Sequence, residues 1–189
     1  MPKVEIAGPT SGAAAEESEP PRGIALDIVE EAGGWASAGD VAVLLAPLLD
    51  AIGRNCALRS QLPAEACLAL ADDAAVRKLN AAFRAKDRAT NVLSFPSGMP
   101  VVAGQPRQLG DIILGFETIA AEAVEQGVPL ADHIRHLALH GLLHLMGYDH
   151  EADAAAEAME ALEIEILAEI GVANPYGEDA PVIVSGAFQ

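Results

Sequence analysis

The stretch His140-Gly141-Leu142-Leu143-His144-Leu145-Met146-Gly147-Tyr148-Asp149-His150 brings three histidines close together in the sequence. His140 and His144 are four residues apart, so in a helix they lie about one turn apart on the same face. Gly147 is placed to end this helix in the left-handed conformation and to turn the chain back toward His150. The stretch therefore predicts a helix followed by a tight turn, with three imidazoles directed at one metal ion.

Zinc is the metal that this set of ligands favours. Three protein ligands leave a fourth position open, which is how zinc is held in catalytic sites. Cys56 and Cys67 lie far upstream and lack the paired spacing of a sulfur-ligated structural site. Asp149 is placed either to join the ion or to orient a ligand or a bound water by a hydrogen bond. We expect one Zn²⁺ per chain.

The alternative is that these histidines only cluster in the core or at the surface. From residue 137 to 146 the helix is apolar almost all round, which is typical of a buried segment, and buried imidazoles need polar partners. His133 and His136 are expected to be solvated, or to support a ligand without binding the ion. His136 precedes His144 by eight residues, a helical rise of about 12 Å, which is too far for both to bind one ion.

The spacing also matches the extended zinc peptidase signature H-E-x-x-H-x-x-G-x-x-H at the three histidines and at Gly147. Gly141 stands where the peptidase has the glutamate that acts as general base, and glycine cannot transfer a proton. A glycine inside a helix costs about 1 kcal/mol relative to alanine, which indicates close approach of a substrate or of neighbouring backbone. The pattern thus keeps the metal and lacks the peptidase base.

Three further stretches are distinctive: LNAAFRAKD at 79–87 leading into TNVLSFP at 90–96, LGDII at 109–113, and a glutamate-rich helix that closes in Gly171 and Pro175-Tyr176. With the H-G-x-L-H-L-x-G-Y-D-H run they resemble the YbeY-type single-strand-specific endoribonucleases, the bacterial rRNA maturation factors, over residues 23–176. The resemblance implies a zinc-dependent endoribonuclease that matures the 3′ end of small-subunit (16S) rRNA and supports ribosome quality control. It further implies the small ribosomal subunit and an rRNA-binding GTPase as partners.

The resemblance also gives Arg84 the role of stabilising charge on the cleaved phosphate. Phosphodiester cleavage builds up negative charge there, and a guanidinium can bind two phosphate oxygens at once. Two neighbours of Arg84 depart from the family pattern. Phe83 stands where tyrosine is common, which removes a hydroxyl, and Ala85 replaces a common glycine, which stiffens the approach to Lys86.

The net charge of −17 argues against a protein that coats nucleic acid non-specifically. The positive charges are nonetheless concentrated, because no Lys or Arg follows Arg135 while five lie within twelve positions. These five candidate contacts to the substrate are Arg77, Lys78, Arg84, Lys86 and Arg88. Such a run is also typical of a solvated helix face. Beside a metal site it favours single-stranded RNA lying between the metal helix and the basic helix.

The general base and the class of function stay open at this level. A metal-bound hydroxide, the RNA 2′-hydroxyl and Asp149 are all candidates for the base. A zincin-type peptidase is an alternative function that Gly141 disfavours. The other alternative is a non-catalytic ribosome assembly factor, in which zinc only holds the loop bearing His150 against the helix.

One α+β domain is expected, with a mixed four-stranded sheet packed with helices and a zincin-like metal helix. Strands are predicted at 24–29, 67–71, 92–95 and 109–114, and helices at 41–52, 74–85, 116–126, from Pro129 through the first two metal ligands, and 152–170. Asp40 and Asp73 are the predicted N-caps, and Pro47 is expected to kink the first helix or to split off its first turn. Residues 97–108 form a candidate flap, and Met159 is expected to pack in the core.

Residues 1–22 and 177–189 are expected to form tails outside the endoribonuclease domain at 23–176, the first of them disordered because it is acidic, proline-bearing and poor in apolar residues. The sequence has no charged leader followed by an apolar block, and no uninterrupted apolar stretch of membrane-spanning length. Its two cysteines, eleven positions apart, are best interpreted as reduced thiols. We therefore expect a cytoplasmic protein without a membrane partner.

Overall fold

A computed structural model describes residues 23–150 and 152–177 of the protein. The predicted tails lie outside these residues, apart from Gly177, so the expectations for them stay predictions. The described strands are β1 (Ile24–Glu30), β2 (Ala64–Ala71), β3 (Val92–Pro96) and β4 (Arg107–Gly115). The helices are α1 (Val41–Arg54), α2 (Asp73–Arg84), α3 (Phe116–Gln126), α4 (Leu130–Leu145) and α5 (Asp153–Glu169), with short 3₁₀ helices at Trp35–Ala38 and Arg59–Gln61.

The four strands form one mixed sheet in the order β1-β2-β4-β3. β1 and β4 both run parallel to β2, and β3 pairs antiparallel with β4. The prediction of an α+β fold with a mixed four-stranded sheet is confirmed. β3 is an edge strand, so one side of its backbone has no neighbouring strand, and this free edge matters for the site described below.

Local sequence explains most of the helix boundaries, with two corrections. Asp40 caps α1 as predicted, since its side chain accepts hydrogen bonds from the amides of Ala42 and Val43. Of the two effects expected of Pro47, the splitting off of a first turn is wrong, because α1 continues through Pro47 from Val41 to Arg54. The predicted cap Asp73 is also wrong by one residue, because Asp72 caps α2 through the amide of Ala75.

Two strands begin earlier than predicted. β2 begins at Ala64 rather than at residue 67, and its side chains alternate between buried and half-buried from that point. Alanine has a weak strand preference, so the early start of β2 at Ala64 depends on pairing with β1 and β4. This pairing involves residues distant in the sequence, so the local pattern does not show it. β4 begins at Arg107 rather than at residue 109, which shortens the candidate flap.

The two faces of the sheet carry different layers. The main core lies on one face, where α4 packs against β3 and β4 and is flanked by α1, α3 and α5. Met159 of α5 is buried in this core, as predicted. On the opposite face a smaller cluster joins Val76 of α2 to Leu93 and Ile113. The edge strand β3 is therefore held between α4 on one side and α2 on the other.

Among the described residues, none of the helices combines the length and the apolar character needed to cross a membrane.

Candidate metal centre

Three imidazoles converge at the C-terminal end of α4. His140 and His144 lie in its last turns, and His150 follows in the loop after it. One ring nitrogen from each of the three lies within 4.8 Å of the other two. The rings of His140 and His150 stack with centroids 5.6 Å apart, while the ring of His144 stands edge-on to both. The structure thus brings together the three residues predicted as ligands.

The turn after α4 depends on Gly147, whose φ of 93° is the left-handed conformation that favours glycine. Its amide donates to the carbonyl of His144, and the amide of Tyr148 donates to that of Leu143. This reversal carries the carbonyl of Tyr148 back over the helix end, 3.0 Å from Nδ1 of His144. The same turn that returns His150 therefore also orients the ring of His144.

Glu163 of α5 fixes the ring of His140 and was not identified from the sequence. Its side chain is 0% exposed, and Oε1 lies 2.9 Å from Nδ1 of His140. Oε2 lies 3.2 Å from Nε2 of His136 and also accepts a hydrogen bond from the hydroxyl of Tyr176. Burial raises the pKa of Glu163, but the hydrogen bonds with His136 and His140 outweigh it and lower the pKa to about 2. The carboxylate is therefore ionised.

These contacts fit a metal ion on chemical grounds. Because Nδ1 of His140 and Nδ1 of His144 both face hydrogen-bond acceptors, each Nδ1 carries a proton and donates it. The two Nε2 atoms are then both acceptors, yet they face each other at 3.0 Å. A cation between them removes the repulsion, and zinc bonds of about 2.0–2.1 Å at tetrahedral angles separate two nitrogens by about 3.3 Å. The histidine cluster can therefore hold a metal ion.

Burial also keeps His144 in the form that can bind a metal. Desolvation, together with the neighbouring imidazoles, lowers the pKa of His144 to about 4. Its ring is therefore neutral near pH 7 and has a free lone pair. The buried negative charge of Glu163, which lies behind His140, compensates a cation held on the other side of that ring.

His133 and His136 are each 3% exposed, so of the two alternatives expected for them, solvation or support of a ligand, the first is wrong. His136 supports the site without facing its centre, because it shares Glu163 with His140. Burial lowers the pKa of His136. His133 instead lies 2.8 Å from Glu122 of α3, which also accepts from the side-chain amide of the buried Asn91. This second group joins the starts of α4 and β3.

Gly141 is explained by packing against the sheet. A Cβ at this position would lie 2.9 Å from Cγ2 of Ile112 and 3.2 Å from Oγ of Ser94. The sequence predicted that substrate or neighbouring backbone approaches Gly141. The structure instead places side chains of β4 and β3 there. The position that carries the glutamate in the peptidase signature therefore faces the sheet and has no room for a larger side chain.

Arg84 lies at the free edge of β3. Asn91 and Ser97 bond to β4 through their backbone, so the alternation of an antiparallel pair turns the carbonyl of Ser94 away from β4. Nη2 of Arg84 donates to this carbonyl at 3.4 Å. Oγ of Ser94 in turn contacts the carbonyl of Gly141 at 3.3 Å. Arg84 is thus linked through one residue of β3 to the residue that follows His140.

The guanidinium of Arg84 is half-buried, and burial lowers its pKa from the ordinary arginine value. Arginine nevertheless stays charged at neutral pH. Desolvation strengthens its attraction for an anion, because the interaction is less screened than in water. The guanidinium of Arg84 is therefore suited to bind an anionic oxygen at the edge of β3.

The other predicted RNA contacts differ in their availability. Arg77 makes two hydrogen bonds to Asp87, at 2.6 and 2.8 Å, so its charge is balanced within the chain. Lys78 and Arg88 are exposed, and Lys86 is half-buried. Lys86 and Arg88 lie in the loop after α2. The buried Asn80 holds this loop against α2, because its side-chain amide donates to the carbonyl of Arg88 at 2.7 Å. Asp149 is exposed beside His150.

Comparison with known proteins adds to this geometry. Residues 38–171 match the family model described as endoribonuclease YbeY. The endoribonuclease YbeY of Parvibaculum lavamentivorans is 46% identical over 167 residues, which are 84% of this chain and 88% of that protein. The protein of the same name from Methylocella silvestris is 43% identical over 161 residues, with coverage of 85% and 90%. That from Paramagnetospirillum magneticum is 57% identical over 118 residues, with coverage of 60% and 72%.

The fold also occurs in a solved structure. The solution structure of a Thermotoga maritima protein superposes with a TM-score of 0.52 and 24% sequence identity, and the match covers 78% of this chain and 92% of the other. At this identity the likeness concerns the fold alone.

Proposed function

The chain belongs to the endoribonuclease YbeY family, and from that premise we propose that it is a zinc-dependent endoribonuclease that cleaves single-stranded RNA. The observation that carries the proposal is the meeting of two unlike groups at one strand edge. A histidine cluster that can hold a metal ion lies on one side of β3, and the guanidinium of Arg84 reaches the free edge of the same strand. Both groups can stabilise the negative charge that develops when a phosphodiester bond is cleaved.

His140, His144 and His150 are the proposed zinc ligands, at one ion per chain. When bound, zinc supplies a Lewis acid that polarises a phosphoryl oxygen and lowers the pKa of water. The chain prepares the ligands, because Glu163 and the carbonyl of Tyr148 hold the Nδ1 protons of His140 and His144. This fixes both rings with their Nε2 lone pairs toward the centre of the cluster.

Arg84 is the proposed catalytic cation. It lies where a phosphate beside the histidines meets the free edge of β3, and its planar group can donate to two phosphate oxygens. It stabilises the negative charge that builds up as the bond breaks. The same charge helps to position the substrate before reaction.

The candidates for the general base are those that the sequence gives: hydroxide supplied by the metal, the RNA 2′-hydroxyl and Asp149. Gly141 has no side chain, and its Cα faces Ile112 and Ser94, so the peptidase type of base is absent. Asp149 is exposed next to His150 and can accept a proton from water or from the RNA 2′-hydroxyl. A substrate with a 2′-deoxy sugar at the cleaved position separates these routes, because it stays cleavable only if water is the nucleophile.

The charge distribution supports an RNA path along the edge of β3. The sheet face beside α2 is acidic over β1, β2 and β4, where Asp27, Glu65 and Asp111 line a concavity of about 660 Å³. The exposed cations Lys78 and Arg88 lie instead on α2 and its following loop. Repulsion from the acidic face and attraction to the basic segment both direct the phosphates to the free edge.

We assign the substrate to small-subunit rRNA, with maturation of its 3′ end as the reaction and ribosome quality control as its setting. The small ribosomal subunit and an rRNA-binding GTPase are the proposed partners, and the cytoplasm is the proposed location. Support for these assignments comes from the family named by the relatives and from the motifs at 79–96 and 140–150.

The test combines metal analysis of the purified protein with cleavage of an end-labelled single-stranded RNA and of the same RNA annealed to its complement. We expect about one zinc per chain, cleavage of the single strand alone, loss of cleavage with a chelator and recovery on adding zinc. A protein that contains zinc and leaves every RNA intact contradicts the proposal and favours the assembly-factor alternative. Chelator-sensitive cleavage of denatured casein favours the peptidase alternative.

A further inference from the structure

An exposed aromatic pair lies next to Arg84. Phe83, in the last turn of α2, is 68% exposed. Its ring meets that of Phe95 edge to face, with centroids 5.2 Å apart and planes at 65°. Phe95 is half-buried and packs against the cluster that joins α2 to the sheet. The core thus supports Phe95, and Phe95 supports Phe83.

The alternation of side chains along β3 places this pair across the strand edge from the histidines. Ser94 turns its side chain to α4, where Oγ contacts the carbonyl of Gly141. Phe95, the next residue, therefore turns its ring to the opposite face, where α2 lies. Arg84 contacts the Ser94 carbonyl at the edge between the two faces. The order across the edge is histidine cluster, Arg84, aromatic pair.

We infer that Phe83, backed by Phe95, is a stacking platform for a nucleobase next to the phosphodiester bond that is cleaved. The inference rests on the proposed function, because it assigns the ligand to the same RNA strand. It adds a binding subsite for a base to a site whose other groups bind only a phosphate.

The chemistry of the pair fits an unpaired nucleobase. Proteins bind single-stranded nucleic acid by stacking bases on aromatic rings beside cations that hold the backbone. Phe95 contacts Phe83 by an edge-to-face arrangement, which leaves area of the Phe83 ring exposed for a base. Arg84 and Arg88 supply positive charge within five residues of the ring. Base-paired RNA cannot reach such a platform, because its bases are already stacked on each other.

Phenylalanine also bears on selectivity. Its ring offers no hydrogen-bond donor or acceptor, so it accepts any base by its π-face. The platform therefore selects an unstacked base without selecting its identity. This predicts preference for single strands over duplexes and weak preference among bases at that position.

Phe83→Ala tests the platform with little danger to folding, because the ring is mostly exposed. The matched control is Val124→Ala, which removes an 82% exposed apolar side chain from α3. Binding is measured by fluorescence anisotropy with a single-stranded RNA carrying a non-cleavable phosphate analogue at the scissile position. We expect Phe83→Ala to weaken binding about 10-fold and to raise KM with little change in kcat, while Val124→Ala binds like the wild type. Phe83→Trp should restore binding, because it keeps a stacking surface.

An abasic substitution identifies the base that stacks. Abasic sites are placed one at a time beside the scissile position, and each RNA is tested against wild type and Phe83→Ala. At one position the abasic RNA should bind the wild type about 10-fold more weakly while losing no further affinity for Phe83→Ala. Additive losses at every position overturn the inference, as does equal affinity of Phe83→Ala and wild type for the intact RNA. Absence of cleavage of the natural RNA by the wild-type protein overturns the proposed function instead.

Discussion

The histidine cluster and the basic segment 77–88 face the same strand but satisfy their polar groups in opposite ways. Around the histidines, the hydrogen-bond partners belong to the protein: Glu163 and the carbonyl of Tyr148 hold two of the rings. Along the basic segment, Lys78 and Arg88 extend into solvent, and Arg77 alone of the three exposed cations forms an ion pair that the structure describes, with Asp87. The histidine cluster thus has hydrogen-bond partners inside the protein and can hold a cation. The basic segment instead presents exposed positive charges that can bind an external anion.

This difference determines how substitutions act. A change within the buried network disturbs metal affinity and folding together, because each group there also serves as the partner of another. A change on the exposed segment alters substrate affinity or the rate of cleavage and leaves the metal in place. Variants of the two regions should therefore separate into two classes, and the following experiments test that separation.

The largest effect is expected for His140→Ala. It removes one of the three proposed ligands and leaves Oε1 of Glu163 without its 2.9 Å partner in a fully buried position. We expect loss of stoichiometric zinc, loss of cleavage, and destabilisation by more than about 3 kcal/mol, because the acceptor left unsatisfied is a charged carboxylate. Metal analysis and urea unfolding of the zinc-free proteins measure the two effects separately. A fully zinc-loaded His140→Ala protein would remove this histidine from the ligand set.

Arg84→Ala is expected to act mainly on the rate of cleavage and to leave the metal in place. Removing a charged donor from a developing oxyanion lowers kcat by about 10²- to 10³-fold. Zinc content should stay at the wild-type level, because Arg84 is not one of the three proposed ligands and donates to the carbonyl of Ser94 in β3. Arg84→Lys should recover only part of the activity, since an ammonium lacks the planar pair of donors.

The control for Arg84 is Arg54→Ala, which removes an exposed arginine that pairs with Glu169 far along the chain. It changes the net charge equally and should cleave like the wild type. If both variants lose activity to the same extent, the effect of Arg84 is general electrostatics rather than stabilisation of the cleaved phosphate.

Glu163→Gln should have an intermediate effect, and on the metal rather than on the chemistry. The amide keeps the shape but has one oxygen, so either the contact to His140 or the contacts to His136 and Tyr176 must face an NH₂ group. Loss of such an outer partner lowers metal affinity by about 10- to 100-fold. Competition with a chromogenic chelator measures this, and Glu157→Gln on the exposed side of α5 is the matched control. Unchanged affinity would show that packing alone orients His140.

The separation also explains which parts of the site could be predicted from sequence. The convergence of His140, His144 and His150 could, because the helical period and the turn at Gly147 fix their relative positions within eleven residues. Glu163 could not, because it is one of several glutamates on α5 and becomes a partner of His140 only when α5 packs on α4. One local signal was present for His136: it lies four residues before His140, so it shares that face of the helix.

The errors in the fold have the same origin. Asp72 and Asp73 are equally good caps by composition, and the structure uses Asp72, while Asp73 accepts from the amide and hydroxyl of Thr118 at the start of α3. The first residues of β2 are alanine and glutamate, which favour no strand by themselves. In both cases a partner distant in sequence decides between local alternatives, whereas the locally determined elements were predicted within about two residues.

The smallest effect is expected for a change in stability at Ala85, which follows α2 and precedes Lys86 and Arg88. Its φ of 54° and ψ of 24° are left-handed, a conformation that costs a residue with a Cβ about 1–2 kcal/mol. Glycine avoids this cost but loses about 0.4–1 kcal/mol through greater freedom of the unfolded chain. Ala85→Gly should therefore stabilise the protein by about 0.5–1 kcal/mol in urea unfolding and leave zinc content unchanged. Ala82→Gly, inside α2, should instead destabilise it by about 1 kcal/mol. Opposite signs at two alanines three residues apart would show that the loop carries strain that the helix does not, and equal signs would contradict it.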